Sequence, residues 1–599
     1  MRLPRIKRPH RAAAGAAVVG ALIVAMFATV TVTNASWRDE EWDYAAFSTI
    51  DCASPAAHET RGAGKLLSGD LLSVDLDGIV ALDGVTATND GTSSSVAPAS
   101  SSTLGSDTYA NPLSVSALGA INVDLGGALV LPLGADVGLL NQYANASADG
   151  TSAGASGVVN DSGAIDLSAI PPGPGMPTFA TLELGQVLDS VMGTGLGGGI
   201  ANLADVRVDV GAVASSTELD GCAADWSGDV YSALDRDYYI AGLRTELESA
   251  LIGDLVTTGD TALNGLETTV EALAGDAGLL SSLSSAIGVV VGGVATGVGL
   301  GTISTTLMLD LDLTDARELL VGTIQDSDGI VTLDLGTGVA IIDTAALFDS
   351  VEGLNNQAPN TQLLLNDTVI NALSAAVASA LSDWVDNVVA AIDAALAAVH
   401  VTLMTNIGVK VPVVGTDLGS ISLGVDASLE ALENGSAPVT AVFTPAGIVC
   451  TLLPSACALV GALVTAIVND LPGPLGDAIY GTLQPAIDSV ATPIVTGLLS
   501  DLQALSASIV TMLGSSLDFL FGESGVLSLV VNAQNAPDPA EDAGHPLPGW
   551  AGGLDAPTVT PYSTGQYDVS AIRLVAVGVL AGGLALDFGR SSAGSNGPA

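Results

Sequence analysis

The sequence predicts an α+β chain, a β-rich body of antiparallel, sandwich-like sheets with inserted long helices or helical hairpins. Three observations carry this expectation. From residue 65 onward, short runs rich in Val, Ile, Leu and Thr alternate apolar with small or acidic residues. Gly, Asn-Asp and Ser clusters break these runs, which is how strands and turns are written in sequence. Three later segments change from period two to a helical period, and no fixed short repeat runs through the chain, which argues against a solenoid.

The elements follow in order. Residues 1–35 place the basic "RLPRIKRPHR" before the apolar "AAAGAAVVGALIVAMFATVTV", with small residues at Thr33 and Ala35. This predicts a cleaved signal peptide. An uncleaved signal anchor is the alternative, because the apolar run reaches about twenty residues. Residues 36–236 read as an N-terminal β-rich region, with "LLSVDLDGIVALDGVTA" and "LADVRVDVGAVASST" on either side of the Pro-rich "IPPGPGMPT". Residues 237–305 open with "DYYIAGLRTELESALIGDLV" and read as a helical insertion, and 306–365 as a β segment.

The clearest helix is expected in 366–405. "NDT" offers an N-cap, and Ile370, Leu373, Val377, Leu381, Trp384, Val388, Ile392 and Leu396 recur at three- or four-residue spacing. On this reading Trp384 packs in the core and His400 is a core or helix-end histidine. Residues 406–449 read as a further β segment. Residues 450–522 read as a helical region that Pro472, Pro474, Pro485 and Pro493 cut into pieces. Residues 523–599 are the C-terminal β segment that closes the body. Its last apolar run holds only thirteen uncharged residues between Arg573 and Asp587, short of the ~20 that a membrane helix needs. "LVAVGV" and "LALDFG" around "LAGG" therefore predict a hairpin beside "LSLVVNAQ", not a C-terminal membrane anchor.

Composition narrows the function classes. The chain has 599 residues and sets 15 Lys and Arg against 64 Asp and Glu. Five of the bases lie in the first eleven residues, leaving ten for the remainder. A polyanion of this kind is repelled by phosphate backbones, so no nucleic-acid partner is expected. Between Glu318 and Ile572 Lys410 is the only base, so apolar packing and backbone hydrogen bonds must hold that region. The four cysteines, in an exported chain, suggest two disulfides. Of the three possible pairings, Cys450–Cys457 with Cys52–Cys222 is the simplest. His58, His400 and His545 are scattered, which disfavours zinc.

No catalytic motif stands out. The G-x-G-x-x-G at Gly193, Gly195 and Gly198 is followed by strand-like sequence and reads as a flexible loop. The chain has no G-x-S-x-G elbow, S-x-x-K pair or P-loop, so no catalytic residue and no cofactor is assigned. The one weak site is ionic. "DSDGIVTLD" places Asp326, Asp328 and Asp334 around Gly329, and "LDLDLTDARE" brings Asp310 and Asp312 nearby in sequence. Calcium takes six to eight oxygens, of which such a loop can supply several. The same D-G dipeptide is also an ordinary turn.

"AHETRGAGKLLSGDLL", "GVVNDSGAIDL", "DRDYYIAGLRTELESALI", "GVLSLVVNAQN" and "YDVSAIRLVAVGVLAGGLALDFGRSSAGSNGP" occur in that order along nearly the whole chain. In this the sequence resembles the choice-of-anchor G proteins, exported surface proteins of actinobacteria. The resemblance implies a large surface-associated body, followed in many members by one of several interchangeable anchors, and it implies no catalytic residues. No L-P-x-T-G motif is present here, which departs from members carrying a sortase signal. The expectation is an exported, non-enzymatic cell-surface or secreted structural or interaction protein, reached through the signal peptide. The alternatives are a secreted hydrolase with a dispersed site and a calcium-stabilised adhesin.

Overall fold

A computed structural model describes residues 58–598, apart from 73, 80–81, 114–126, 132–139, 167–177, 188–202, 348–352, 413–414, 539–564 and 577–583. The chain divides into two units, Met1–Asp51 and Cys52–Ala599, and the first lies outside the described residues together with the expected signal peptide. The second is the α+β, β-rich body that the alternation predicts, and the strands pair antiparallel in four sheets.

The largest sheet is built around the two ends of the chain. Its order is Thr361–Leu363, Leu527–Gln534, Tyr567–Ala576, Leu584–Ala593, His58–Leu71, Val85–Asp90 and Ser94–Ala97. The closing apolar run is thus a hairpin, with Ile572 opposite Phe588 and Arg573 opposite Asp587, and it lies beside Leu527–Gln534 as expected. The Gly-Gly turn itself lies outside the described residues. These strands are buried on both faces, which explains why they read as continuous apolar runs rather than alternating ones.

One face of this sheet lies against a six-stranded sheet whose central strands are Val213–Asp220, Thr151–Val158 and Leu140–Ala146. At the contact the backbones nearly touch. A Cβ added to Gly64 would lie 2.0 Å from the Ala155 carbonyl oxygen, and one on Gly154 2.0 Å from that of Ala63. Hydroxyls fill the narrow gap. Ser215 and Thr217 each lie 2.9 Å from the Ser591 hydroxyl, and Ser156 donates to the Arg590 carbonyl. The polar interior is tolerated because these groups find partners.

The other two sheets carry the helices. In the four-stranded one, Gly299–Asp310, His400–Lys410, Asp417–Ser428 and Val439–Pro445 bury Val401, Leu403, Ile407, Ile421, Leu423 and Val425. The helix Ala277–Val294 packs on its first strand, and Ser284 reaches Thr305, which in turn meets Thr405. The 50-residue helix Pro472–Phe521 packs along Ala250–Ala272, Ala277–Val294 and Asp367–Ala397. Three of these helices, Ala277–Val294, Asp367–Ala397 and Pro472–Phe521, are long and apolar enough to cross a membrane by length and composition. Each buries one stripe within the body, and Asp367–Ala397 turns Asp383, Asp386 and Asp393 outward.

The 31-residue helix Asp367–Ala397 matches its predicted stripe. Asn366 caps it by accepting from the Thr368 and Val369 amides, and Trp384 is buried with its indole donating to the Leu319 carbonyl. Boundaries differ from expectation at three places: at 237–249, at 299–305, where the strand Gly299–Asp310 has already begun, and at His400. Residues 237–249 are not helical, since Leu234–Ile240 and Leu243–Ser249 are strands. In the second, Leu243, Thr245 and Leu247 point inward at period two and the helix begins only at Ala250. His400 is half-exposed and opens a strand.

Nor does every proline break the third helical region. Pro472 starts a helix, where its missing N–H costs nothing, but Pro485 and Pro493 lie inside it. Both are exposed, as are Gly481 and Ser489 four residues earlier, so the carbonyls these prolines leave unbonded face water. Pro485→Ala is expected to raise stability by about 2 kcal/mol, the ~3 kcal/mol interior penalty less a ~1 kcal/mol gain in unfolded-chain freedom. The urea midpoint followed by circular dichroism measures it, and an unchanged or lower midpoint contradicts the account.

Candidate functional site

The acidic residues that suggested calcium serve the local backbone. The Asp326 carboxylate is buried and accepts from the Val331 amide at 2.8 Å. Gly329 adopts φ +72° in the same turn, so "DSDG" is the tight connection between Thr323–Gln325 and Val331–Asp334. Asp328 is exposed, and Asp334 accepts from the Thr337 amide. Asp310 ends its strand opposite His400. Asp312 holds the Thr314 hydroxyl and amide, and those bonds, the hydroxyl's foremost, keep its carboxyl below the ordinary range. Among the described residues no group of three or more His, Cys, Asp or Glu is placed to hold a metal ion.

The other predicted positions resolve similarly. Cys450 and Cys457 are disulfide-bonded. Cys222 is also disulfide-bonded, and Cys52, its expected partner, lies outside the described residues. So do Gly193, Gly195, Gly198 and His545. His400 pairs with Asp426 at 2.7 Å on an open sheet face. His58 is buried 3.9 Å from Asp225, whose carboxyl is pushed up by burial against the opposing pull of the histidine.

What the sequence does not bring forward is a group of cations. Of the ten bases downstream of the first eleven residues, four (Arg61, Lys65, Arg573 and Arg590) lie on three adjacent strands of the largest sheet. The pairing register sorts them by face, because residues directly opposite one another share one. Lys65 lies opposite Arg590, which lies opposite Ser570, and one step along Thr86, Ala63, Ser592 and Asp568 form the next row. Arg61 follows at two residues from Ala63 on the same face. Arg573 pairs with Asp587 at 2.7 Å, and that carboxylate also lies 4.0 Å from Arg590.

The small side chains of Ala63 and Ser592 leave a hollow between the longer ones. It is a cavity of about 200 Å³ lined by Arg61, Lys65 and Arg590, with Asp77, Asp83 and Thr86 also at its wall. Each cation is held differently. Lys65 pairs with Asp77 at 2.5 Å, and Arg590 with Asp568 at 2.7 Å. Burial works against the Arg590 charge, but Asp568 and Asp587 outweigh it and hold its pKa above the ordinary value. Arg61 has the Ser592 hydroxyl at 3.4 Å, and no carboxylate among the described residues within 4.0 Å. Burial, and secondarily the Arg590 charge, lowers its pKa against the attraction of Asp568.

The sequence signal for this cluster is slight. "HETRGAGK" and "IRLVAVGVLAGGLALDFGR" carry two bases each in a chain with few, but the two stretches stand at opposite ends. Nothing local says that they share a sheet face. A family model described as a domain of unknown function (DUF8394) matches residues 62–594, a span that takes in Lys65, Arg573 and Arg590. No curated protein and no solved structure matches the chain.

Proposed function

We propose that this chain, which belongs to the DUF8394 family, is an exported, non-enzymatic cell-surface or secreted protein with a structural or interaction role. The observation that carries the reading is the use made of the buried polar groups. Arg573 with Asp587 and Arg590 with Asp568 tie strand to strand, and Ser215, Thr217 and Ser591 tie sheet to sheet. Such groups build a body rather than a reaction centre. The Cys450–Cys457 bond supports an oxidising compartment, and the basic-then-apolar first 35 residues support export. The order of motifs that resembles choice-of-anchor G proteins supports the same reading.

Fractionation of producing cells tests it, with protease shaving of the intact surface. The protein is expected in the wall fraction or the medium, with Cys450 and Cys457 oxidised. Recovery from the cytoplasm with free thiols contradicts export. Turnover in a panel of ester and polysaccharide substrates, lost on mutating a defined pocket, contradicts the non-enzymatic part.

A further inference from the structure

We propose that the hollow over Ala63 and Ser592 is a binding site for an oxyanion, a carboxylate or phosphate group, received by Arg61 with Lys65 and Arg590 around it. Three cations converge there in a chain of net charge −49. The wider negative field does not forbid binding, since at physiological ionic strength it is screened beyond ~8 Å and the nearest charges decide. Nearby, Asp77 and Asp83 stand at the wall and Asp568 and Asp587 flank Arg590, so Lys65 and Arg590 are balanced by carboxylates and Arg61 is the cation that an entering anion would face.

Arg61 makes the arrangement more than a set of ion pairs. Lys65 and Arg590 have carboxylate partners within 2.7 Å, whereas the partly buried Arg61 guanidinium has a serine hydroxyl at 3.4 Å and, farther off, Asp568 and Arg590. A guanidinium has five N–H donors in a planar fork matched to carboxylate and phosphate oxygens. Burying its charge without a facing anion is unfavourable, and an entering oxyanion relieves that cost. The Ser592 and Thr86 hydroxyls stand in the row between the cations and offer further donors. A volume of about 200 Å³ admits an anionic group of a few heavy atoms, not a folded partner.

The site is tested by titrating the full chain calorimetrically with inorganic phosphate and, separately, with citrate, at ionic strength held constant with sodium chloride. A saturable one-to-one heat with at least one of the two is expected, accompanied by a rise in Tm. A response to phosphate alone assigns phosphate groups, and a response to citrate alone assigns carboxylates. Arg61→Gln should weaken binding at least tenfold while leaving Tm in anion-free buffer unchanged or higher, since it removes a buried charge. Arg61→Lys keeps the charge but not the fork and should fall between. Arg317→Gln, on the helical side of the molecule, should bind as the parent does. If Arg61→Gln does not fold, Lys65→Gln takes its place as the weakened variant. Absence of saturable heat with both anions, or equal affinity in the Arg61 and Lys65 variants, overturns the proposal.

Discussion

Asp587→Ala is expected to destabilise the body by about 3–5 kcal/mol, the usual cost of removing one partner from a buried ion pair. Asp587 is 2% exposed and Arg573 1%. The Arg573 guanidinium donates to both carboxylate oxygens, at 2.9 and 2.7 Å, and Arg590 lies 4.0 Å away. Taking away the carboxylate leaves two guanidiniums facing the space it filled, in an interior that solvates charge poorly. The pair itself contributes much less than this figure, because burying it costs desolvation at both ends. The double variant Arg573→Met/Asp587→Leu is therefore expected to recover most of the loss, within about 1–2 kcal/mol of the parent. Urea unfolding of the three proteins checks both statements. A single variant within 1 kcal/mol of the parent contradicts the first, and a double variant as unstable as the single contradicts the second.

Gly64→Val is expected to cost about 3 kcal/mol or more, at the severe end of overpacking. The ideal Cβ falls 2.0 Å from the Ala155 carbonyl oxygen and 2.8 Å from that of Tyr143, both backbone atoms that no rotamer change can move. The two sheets must separate locally by about an ångström to reach van der Waals contact. Ser215, Thr217 and Ser156 then lose the hydroxyl and carbonyl partners they hold across the gap. Gly105→Ala is the control. Gly105 lies in an exposed strand with nothing within 4 Å of its Cβ position, so a change of no more than about 0.5 kcal/mol is expected. Thermal unfolding distinguishes the pair, and equal effects at the two positions contradict the close-contact account.

Much of the architecture is legible because burial is written locally. The stripe from Ile370 to Ile392 needs only the helical period to be read, and it places Trp384 in the core, whereas its partner there, the Leu319 carbonyl, comes from the fold. The closing hairpin is legible for the same reason, since Leu574 to Leu586 is too short for a membrane helix and too apolar for a loop. Where local signals conflict, the outcome depends on the environment. Residues 237–249 fit helix or strand by composition, and pairing with the strands Leu203–Gly211 and Val213–Asp220 decides for strand. Pro485 and Pro493 are helix breakers by rule, but exposure of the carbonyls they disrupt lets the helix continue.

By itself, then, the sequence determined the α+β class, most helix and strand positions and the acidic character, and it suggested an export signature and, as the simplest of three pairings, the Cys450–Cys457 bond that the structure holds. The tertiary structure alone decided which strands are neighbours, how closely two sheets approach at Gly64 and Gly154, and that Arg61 and Ser592, 531 positions apart, share a hollow. The physical reason is range. Periodicity and turn chemistry act over a few residues, whereas a sheet register joins the two ends of the chain and places cations from both on one face.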